Sequence, residues 1–150
     1  QSKRTILLGL TSNPGSEDFE LQKIIKKIES LDEGMHTRKQ EESYLYEFVL
    51  QKASDWGTPD NLMFVIGATQ ANEFTHIRKL TPNSFYLVPG VGAQGGSLKE
   101  ISEKAMINDC GLLVNASRAV IYASAEDDFA DAAARVAMEY ADEMKDYLPK

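Results

Sequence analysis

Short apolar runs alternate along the chain with longer segments in which apolar residues recur every three or four positions. The runs occupy residues 5–10, 62–66, 85–88 and 112–114 and are rich in Ile, Leu and Val. Runs that are apolar nearly throughout are typical of strands in a parallel sheet that is covered on both faces. The pattern therefore predicts four such strands.

Helical spacing marks the segments that follow these runs. Apolar positions recur at this spacing within residues 44–56, 74–80, 98–106 and 127–147, so each predicted strand is followed by a predicted helix. Repeated βα units imply right-handed crossovers and a parallel sheet. The predicted fold class is α/β, with four βα units.

Residues 17–42 interrupt this alternation. The stretch is rich in charge, and a few of its apolar residues have the spacing of a short amphipathic helix. These residues are Leu21, Ile24, Ile25, Ile28 and Leu31. Because the stretch is longer than a normal βα loop, we expect an insertion or lid within a single domain that spans residues 1–150.

Four βα units are compatible with two architectures. One is a small open sheet, which can stand alone at this length. The other is half of an eight-stranded TIM-type (β/α)8 barrel, which normally takes about 250 residues. The hydrophobic pattern leaves both open.

Composition narrows the classes of partner and site. The 16 Lys and Arg against 23 Asp and Glu give a formal net charge of −7, which argues against binding to nucleic acid or to an anionic membrane. No apolar run approaches the roughly 20 residues of a membrane span. With one Cys and two His, neither a disulfide framework nor a Cys/His zinc site is expected. Since residues 1–5 lack signal-peptide architecture, we expect a cytoplasmic chain.

Polar and small residues follow all four predicted strands. The exits are residues 11–16, 67–70, 89–96 and 115–118, and Arg118 is their only charged residue. Ligands of parallel α/β folds bind at the carboxyl ends of strands. These exits suit an anionic ligand held by backbone amides, hydroxyls, an amide side chain and a guanidinium.

The glycine-rich exit at 89–96 is the strongest local signal. Glycine permits positive φ and close approach to a ligand, and a helix that begins near Ser97 would offer unpaired N–H groups to a phosphate. Gly90, Gly92 and Gly95 also match G-x-G-x-x-G. A dinucleotide fingerprint, however, belongs in the first βα turn and needs an acid at the end of the next strand, where this chain has Asn115. We favour a phosphate cradle over a dinucleotide site or a purely structural turn.

Arg118 follows the fourth predicted strand, one βα unit after the glycines. Barrels often build a phosphate site from the loops after their last two strands, so Gln94 and Arg118 would converge on one phosphate. The planar guanidinium suits this role because it donates two parallel hydrogen bonds. The alternative is a surface arginine at a helix start. From the residues alone, the chain binds a phosphorylated small molecule and shows no convincing catalytic acid, base or nucleophile.

Three segments resemble the orotidine 5′-phosphate decarboxylase family, most closely its longer bacterial branch. They are residues 11–16 (TSNPGS), 88–96 (VPGVGAQGG) and 117–122 (SRAVIY). Shorter matches at 46–47, 56–57, 65–69 and 111–115 fit in the same order. The resemblance covers nearly the whole chain but only the second half of the family's barrel.

The resemblance implies the C-terminal half of a TIM-type barrel and a homodimer with active sites at the subunit interface. It also implies cofactor-free loss of CO2 from orotidine 5′-monophosphate (OMP) to give UMP, without a metal. By this resemblance Ser12 bonds the pyrimidine edge and Pro89 lines the site. The substrate's 5′-phosphate is held by the remaining binding residues that the resemblance implies, which are Gln94, Gly95, Ser117 and Arg118.

The family's alternating Lys/Asp tetrad, which includes an Asp-x-Lys-x-x-Asp motif, does not occur in this sequence. We expect it upstream, on strands of the N-terminal half, so no catalytic residue is assigned here and the chain alone is expected to be inactive. One alternative is a non-catalytic phosphate- or nucleotide-binding half-barrel. Another is a different phosphate-binding barrel enzyme, such as an epimerase or a related sugar-phosphate decarboxylase, which the Thr-Ser-Asn context of Ser12 disfavours. A half-barrel would expose two strand edges, so we expect the N-terminal half or a second copy to cover them.

Overall fold

The structure is a computed structural model that describes residues 3–32, 35–92 and 94–148. Its strands are β1 (Thr5–Leu10), β2 (Lys23–Asp32), β3 (Met35–Tyr44), β4 (Leu62–Ile66), β5 (Tyr86–Pro89) and β6 (Leu112–Asn115). Its α-helices are α1 (Leu45–Ser54), α2 (Phe74–Leu80), α3 (Leu98–Ala105), α4 (Ser117–Ile121) and α5 (Phe129–Asp146). Short 3-10 turns occur at Pro14–Asp18 and Ala68–Gln70.

The main sheet has four strands in the order β1-β4-β5-β6, and every neighbouring pair is parallel. This is the sheet that the repeated βα units predict. The predicted strands at 5–10 and 62–66 have the observed bounds, while β5 is displaced by one residue and β6 is longer by one. The short helix α4, between β6 and the long C-terminal helix, was not predicted.

The predicted amphipathic helix in the charged stretch is wrong. The ten-residue strands β2 and β3 pair as an antiparallel hairpin, whose register pairs Lys23 with Tyr44 and Lys26 with Glu41. β-Branched isoleucines favour strands, and oppositely charged residues face one another across the two strands. Near the base of the hairpin, Lys23 Nζ lies 3.1 Å from Glu42 Oε1, and the Glu42 carboxylate raises the pKa of Lys23.

The helices cover one face of the main sheet. Alternate strand residues point toward them and are buried, because side chains alternate between the two faces of a strand. The buried row runs across the sheet through Phe64, Tyr86 and Leu112, which are neighbours in the strand register. It packs with buried helix residues into one core, whose helical members include Leu50, Phe74, Ile77 and Ile101.

The opposite face of the sheet is apolar and open. A second row of register neighbours crosses it through Leu8, Val65, Leu87 and Leu113. Leu8 is 63% exposed and Leu113 is 52% exposed. The strands are apolar at nearly every position although the core helices α1, α2 and α3 pack on only one face. On the other face, Val120 and Ile121 of α4 border the sheet beside Leu87 and Leu113. Strands β1 and β6 are the two edges of this sheet. No helix in the described part of the chain is long and apolar enough to cross a membrane.

Candidate functional site

A cleft of about 180 Å³ opens where β5 and β6 end. These strands are parallel neighbours and Pro89 pairs with Asn115, so their exits meet at one edge of the sheet. The cleft is lined by Pro89, Gly90, Val91, Gln94, Asn115, Ser117 and Arg118. Four of the six predicted binding residues are thus brought together, and two, Ser12 and Gly95, are not among the lining residues.

The glycine-rich segment folds into a loop that is closed on itself. Gly96 N donates to Gly90 O (3.1 Å), Gly92 N donates to Gly96 O (3.0 Å), and Gly95 N donates to Gly92 O (2.8 Å). Gly90, Gly92 and Gly95 have φ of +93°, +73° and +89°, values that favour glycine. Because three N–H groups of the loop are used within it, the expected cradle of backbone amides is much reduced.

Helix α3 contributes less than its position in the sequence suggests. Ser97 caps the helix, and its Oγ accepts from Glu100 N at 3.2 Å. No residue of the first turn of α3 is among the residues that line the cleft. The phosphate site expected at this helix N-terminus stays a prediction, and the cleft itself faces β6 and α4.

Arg118 is the one charged residue among those that line the cleft. Its side chain is exposed, and in residues 3–32, 35–92 and 94–148 no carboxylate forms a salt bridge with it. The adjacent Ser117 donates from Oγ to Asn115 Oδ1 at 2.6 Å. The guanidinium is thus available to an incoming anion, with Gln94 on the loop that faces it across the cleft.

Ser12 lies beside the cleft, at the exit of β1. Its Oγ is 3.4 Å from Pro89 O, which accepts a hydrogen bond from it. A β-carbon on Gly90 would lie 3.0 Å from Ser12 Oγ and 2.6 Å from Gln94 Oε1. Ser12 Oγ and Gln94 Oε1 therefore both lie close to Gly90 and close to one another.

Two residues that sequence analysis did not select hold the backbone next to Ser12. Glu20 accepts from Thr11 N (2.6 Å) and from Thr11 Oγ1 (3.0 Å), and Gln70 Nε2 donates to Thr11 O (3.2 Å). Gln70 stands at a strand exit, and that position in the sequence could have marked it as a candidate site residue. Glu20 lies in the charged stretch, where nothing in the sequence distinguishes it. Asn115 was also missed as a lining residue, although it too ends a strand.

The titratable groups with the clearest shifts lie away from the cleft. Burial, together with the Glu73 carboxylate that accepts from Tyr46 Oη at 2.8 Å, raises the pKa of Tyr46 well above its usual value. Burial lowers the pKa of Arg78, which sits 3.9 Å over the ring of Tyr86. These groups hold helices in place. Within the described residues no cluster of His, Cys, Asp or Glu could hold a metal ion.

The curated proteins most similar in sequence that we compared carry one enzyme name. The chain is 46% identical over 143 residues to orotidine 5′-phosphate decarboxylase of Parabacteroides distasonis, covering 95% of this chain and 46% of the relative. It is 43% identical over 145 residues to the enzyme of the same name from Phocaeicola vulgatus, covering 97% of this chain and 48% of the relative. The chain thus spans about half the length of the curated relatives it matches. No protein-family model matches it.

Solved structures agree with these relatives. Leishmania donovani UMP synthase matches with a TM-score of 0.69 at 30% identity, over 95% of this chain and 28% of that one. Leishmania donovani OMP decarboxylase matches with a TM-score of 0.67 at 27% identity, over 95% of this chain and 48% of that one. The four-stranded parallel sheet is therefore half of a barrel rather than a small open sheet. By sequence and by fold, the chain therefore matches the C-terminal half of orotidine 5′-phosphate decarboxylases.

Proposed function

We propose that this chain is the phosphate- and pyrimidine-binding half of an orotidine 5′-monophosphate decarboxylase. Completed by its N-terminal half, the barrel converts OMP to UMP and CO2. The observation that carries the proposal is the cleft at the ends of β5 and β6, where Gln94, Ser117 and Arg118 meet next to Ser12. Arg118 and Gln94 bind the 5′-phosphate, and Ser12 binds the pyrimidine edge.

The chemistry divides between the two halves. Loss of CO2 leaves a carbanion on the ring carbon, which must be protonated by an acid such as an ammonium group. The cleft residues of this chain include no Lys, Asp or Glu, so we assign the proton donor to the Lys/Asp tetrad of the N-terminal half. This half contributes binding energy at the phosphate, remote from the reacting bond, and that energy organises the substrate for reaction.

The N-terminal half is also the partner that the open sheet requires. The exposed row through Leu8 and Leu113 would face the interior of a closed barrel. The edges β1 and β6 would then pair with the two outer strands of the missing half, which removes the aggregation hazard of unpaired strands. We further propose that the completed barrel acts in the cytoplasm as a homodimer, as its family resemblance implies.

The non-catalytic alternative is less well supported. A phosphate-binding half-barrel with no enzymatic role would have the same cleft. The curated relatives, however, match almost the whole of this chain, and they are named orotidine 5′-phosphate decarboxylase. The same names disfavour an epimerase or a different sugar-phosphate decarboxylase.

The test is Arg118→Ala in the completed enzyme, assayed on OMP and on orotidine, which lacks the phosphate. Loss of a bidentate charge-assisted contact costs about 3 kcal/mol, so we expect kcat/KM for OMP to fall about 100-fold. The value for orotidine should hardly change. Arg135→Ala is the matched control, because Arg135 is an exposed arginine on α5 that lies outside the cleft. Equal losses on both substrates would refute the role of Arg118.

Native mass spectrometry tests the division into two halves. A second polypeptide or a longer chain that carries the Lys/Asp motif should accompany decarboxylase activity. A preparation that contains only this 150-residue sequence should bind UMP without turning over OMP. Turnover by that preparation would contradict the assignment of the proton donor to the other half.

A further inference from the structure

We propose that Glu20 and Gln70 are positioning residues that clamp Thr11 and thereby fix Ser12 against the substrate's pyrimidine. The inference rests on the proposed function, because it assigns to Ser12 the contact that distinguishes the base. Neither Glu20 nor Gln70 lines the cleft. Their side-chain polar groups bond Thr11, so we assign both residues to holding the neighbouring Ser12 rather than to contacting the substrate.

The clamp occupies every polar group of Thr11. The Glu20 carboxylate accepts from the backbone N–H at 2.6 Å and from the side-chain hydroxyl at 3.0 Å. The Gln70 amide donates to the backbone carbonyl at 3.2 Å. The peptide on each side of Thr11 is thus held, and the second of these peptides leads directly into Ser12. A bond from N–H to a carboxylate is among the stronger hydrogen bonds in a protein.

Ser12 needs such support because it sits in a narrow slot. Gly67, after β4, is packed so closely against Ser12 that a β-carbon there would overlap the Ser12 backbone and Oγ. A β-carbon on Gly90 would also come within 3.0 Å of the same Oγ. A small shift of the β1 exit would therefore press Ser12 into one wall or withdraw its hydroxyl from the ligand. Such displacements of a substrate-contacting group are costly for catalysis.

Glu20 and Gln70 are themselves anchored by different elements of the fold. The backbone of Glu20 accepts from Tyr46 N at 3.0 Å, and Gln22 O accepts from Leu45 N at 2.8 Å, so the start of α1 fixes the base of the hairpin. Gln70 ends the 3-10 turn that follows β4, and its N–H donates to Gly67 O at 3.0 Å. The clamp thus ties the charged stretch and the β4 exit to the predicted pyrimidine contact. It gives the base of the hairpin a role in specificity.

The experiment is a double-mutant cycle in the completed enzyme, with Glu20→Ala, Ser12→Ala and the pair. We expect Glu20→Ala to lower kcat/KM for OMP by about tenfold to 100-fold, the range for a lost bond to a charged acceptor. Adding Ser12→Ala to Glu20→Ala should then lower kcat/KM for OMP only slightly further. Glu20→Gln retains an acceptor oxygen for Thr11 N and should recover most of the loss. Glu17→Ala, an exposed carboxylate of the same stretch, is the matched control and should have no effect.

Inhibition separates positioning from general structural damage. The affinity for UMP, which carries the base, should fall in Glu20→Ala, while the affinity for ribose 5-phosphate, which lacks it, should stay within about twofold of the wild type. Parallel losses for the two inhibitors, or costs that add in the double mutant, would overturn the clamp. If Glu20→Ala does not fold, Gln70→Ala takes its place in the same cycle with the same expectations.

The two proposals fail in different ways. A wild-type enzyme that binds UMP but does not decarboxylate OMP would refute the proposed function. The clamp would still be supported if Glu20→Ala in that enzyme lowered the affinity for UMP but not the affinity for ribose 5-phosphate. An active wild type with additive Glu20 and Ser12 effects would refute the clamp and leave the function intact.

Discussion

Gly90 is the position where one added methyl group disturbs both ends of the proposed site. A β-carbon there would lie 2.6 Å from Gln94 Oε1 and 3.0 Å from Ser12 Oγ. Gln94 is exposed and flexible, so it would swing away and leave the phosphate end. Ser12 is confined by Gly67 behind it and by the bonds to Thr11. We therefore expect Gly90→Ala to weaken UMP binding through both contacts.

The magnitude follows from two separate costs. A non-glycine residue at φ of +93° costs about 1–2 kcal/mol of folding free energy. Crowding against a confined neighbour adds about 1–2 kcal/mol more, the lower part of the range for overpacked sites. The sum is about 2–4 kcal/mol in the free energy of unfolding. For UMP, the loss of the Gln94 contact and the displacement of Ser12 should together reduce affinity at least about tenfold.

Gly95→Ala separates these costs. Gly95 has nearly the same φ, +89°, but within the described structure no atom beyond Gly95 and its two chain neighbours lies within 4 Å of the place its β-carbon would take. Alanine also retains the N–H that Gly95 donates to Gly92. Gly95→Ala should therefore lose only the 1–2 kcal/mol of backbone strain and keep UMP affinity within about threefold.

The assay is urea unfolding of both variants and the wild type, with UMP affinity measured by calorimetry on the folded proteins. We expect Gly90→Ala to be the less stable variant and the only one of the two with a large loss of UMP affinity. Equal stabilities would show that crowding at Gly90 is relieved without cost. Unchanged affinity in Gly90→Ala would refute the convergence of Ser12 and Gln94 on one ligand.

Two further predictions concern the core. The Arg78 guanidinium donates to Ala105 O at 2.7 Å and to Ser84 O at 2.7 Å. Because lysine lacks the planar fork, Arg78→Lys should lower the free energy of unfolding, measured with urea, by about 2–3 kcal/mol. A loss below about 0.5 kcal/mol would contradict this. The raised pKa of Tyr46 makes the folded chain hold a proton that the unfolded chain releases above about pH 10, so stability should fall with rising pH in that range. Tyr46→Phe should reduce this loss of stability, measured by urea unfolding at a series of alkaline pH values. An unchanged dependence of stability on pH would exclude Tyr46 as its source.

The strands and most helices were predictable because their patterns are local. Residues 5–10 and 62–66 are apolar at nearly every position since one face packs on helices and the other lines an open apolar surface. The hairpin was not predictable in this way. The spacing of Leu21 and Ile24 suits a helix, whereas the partner strand β3 has no apolar periodicity, and the pairing of two charged strands depends on contacts between residues up to 21 positions apart, such as Lys23 and Tyr44.

The candidate site shows the same division. The sequence by itself determined which residues stand at strand exits, and because β5 and β6 are adjacent and parallel, Gln94 and Arg118 line one cleft. Only the tertiary structure decided that the glycine loop uses its own N–H groups and that Ser12 lies against Pro89, 77 positions away. The same holds for Glu20, whose carboxylate has no pattern to mark it. Hydrogen bonds between distant segments depend on the path of the folded backbone, and no local periodicity encodes that path.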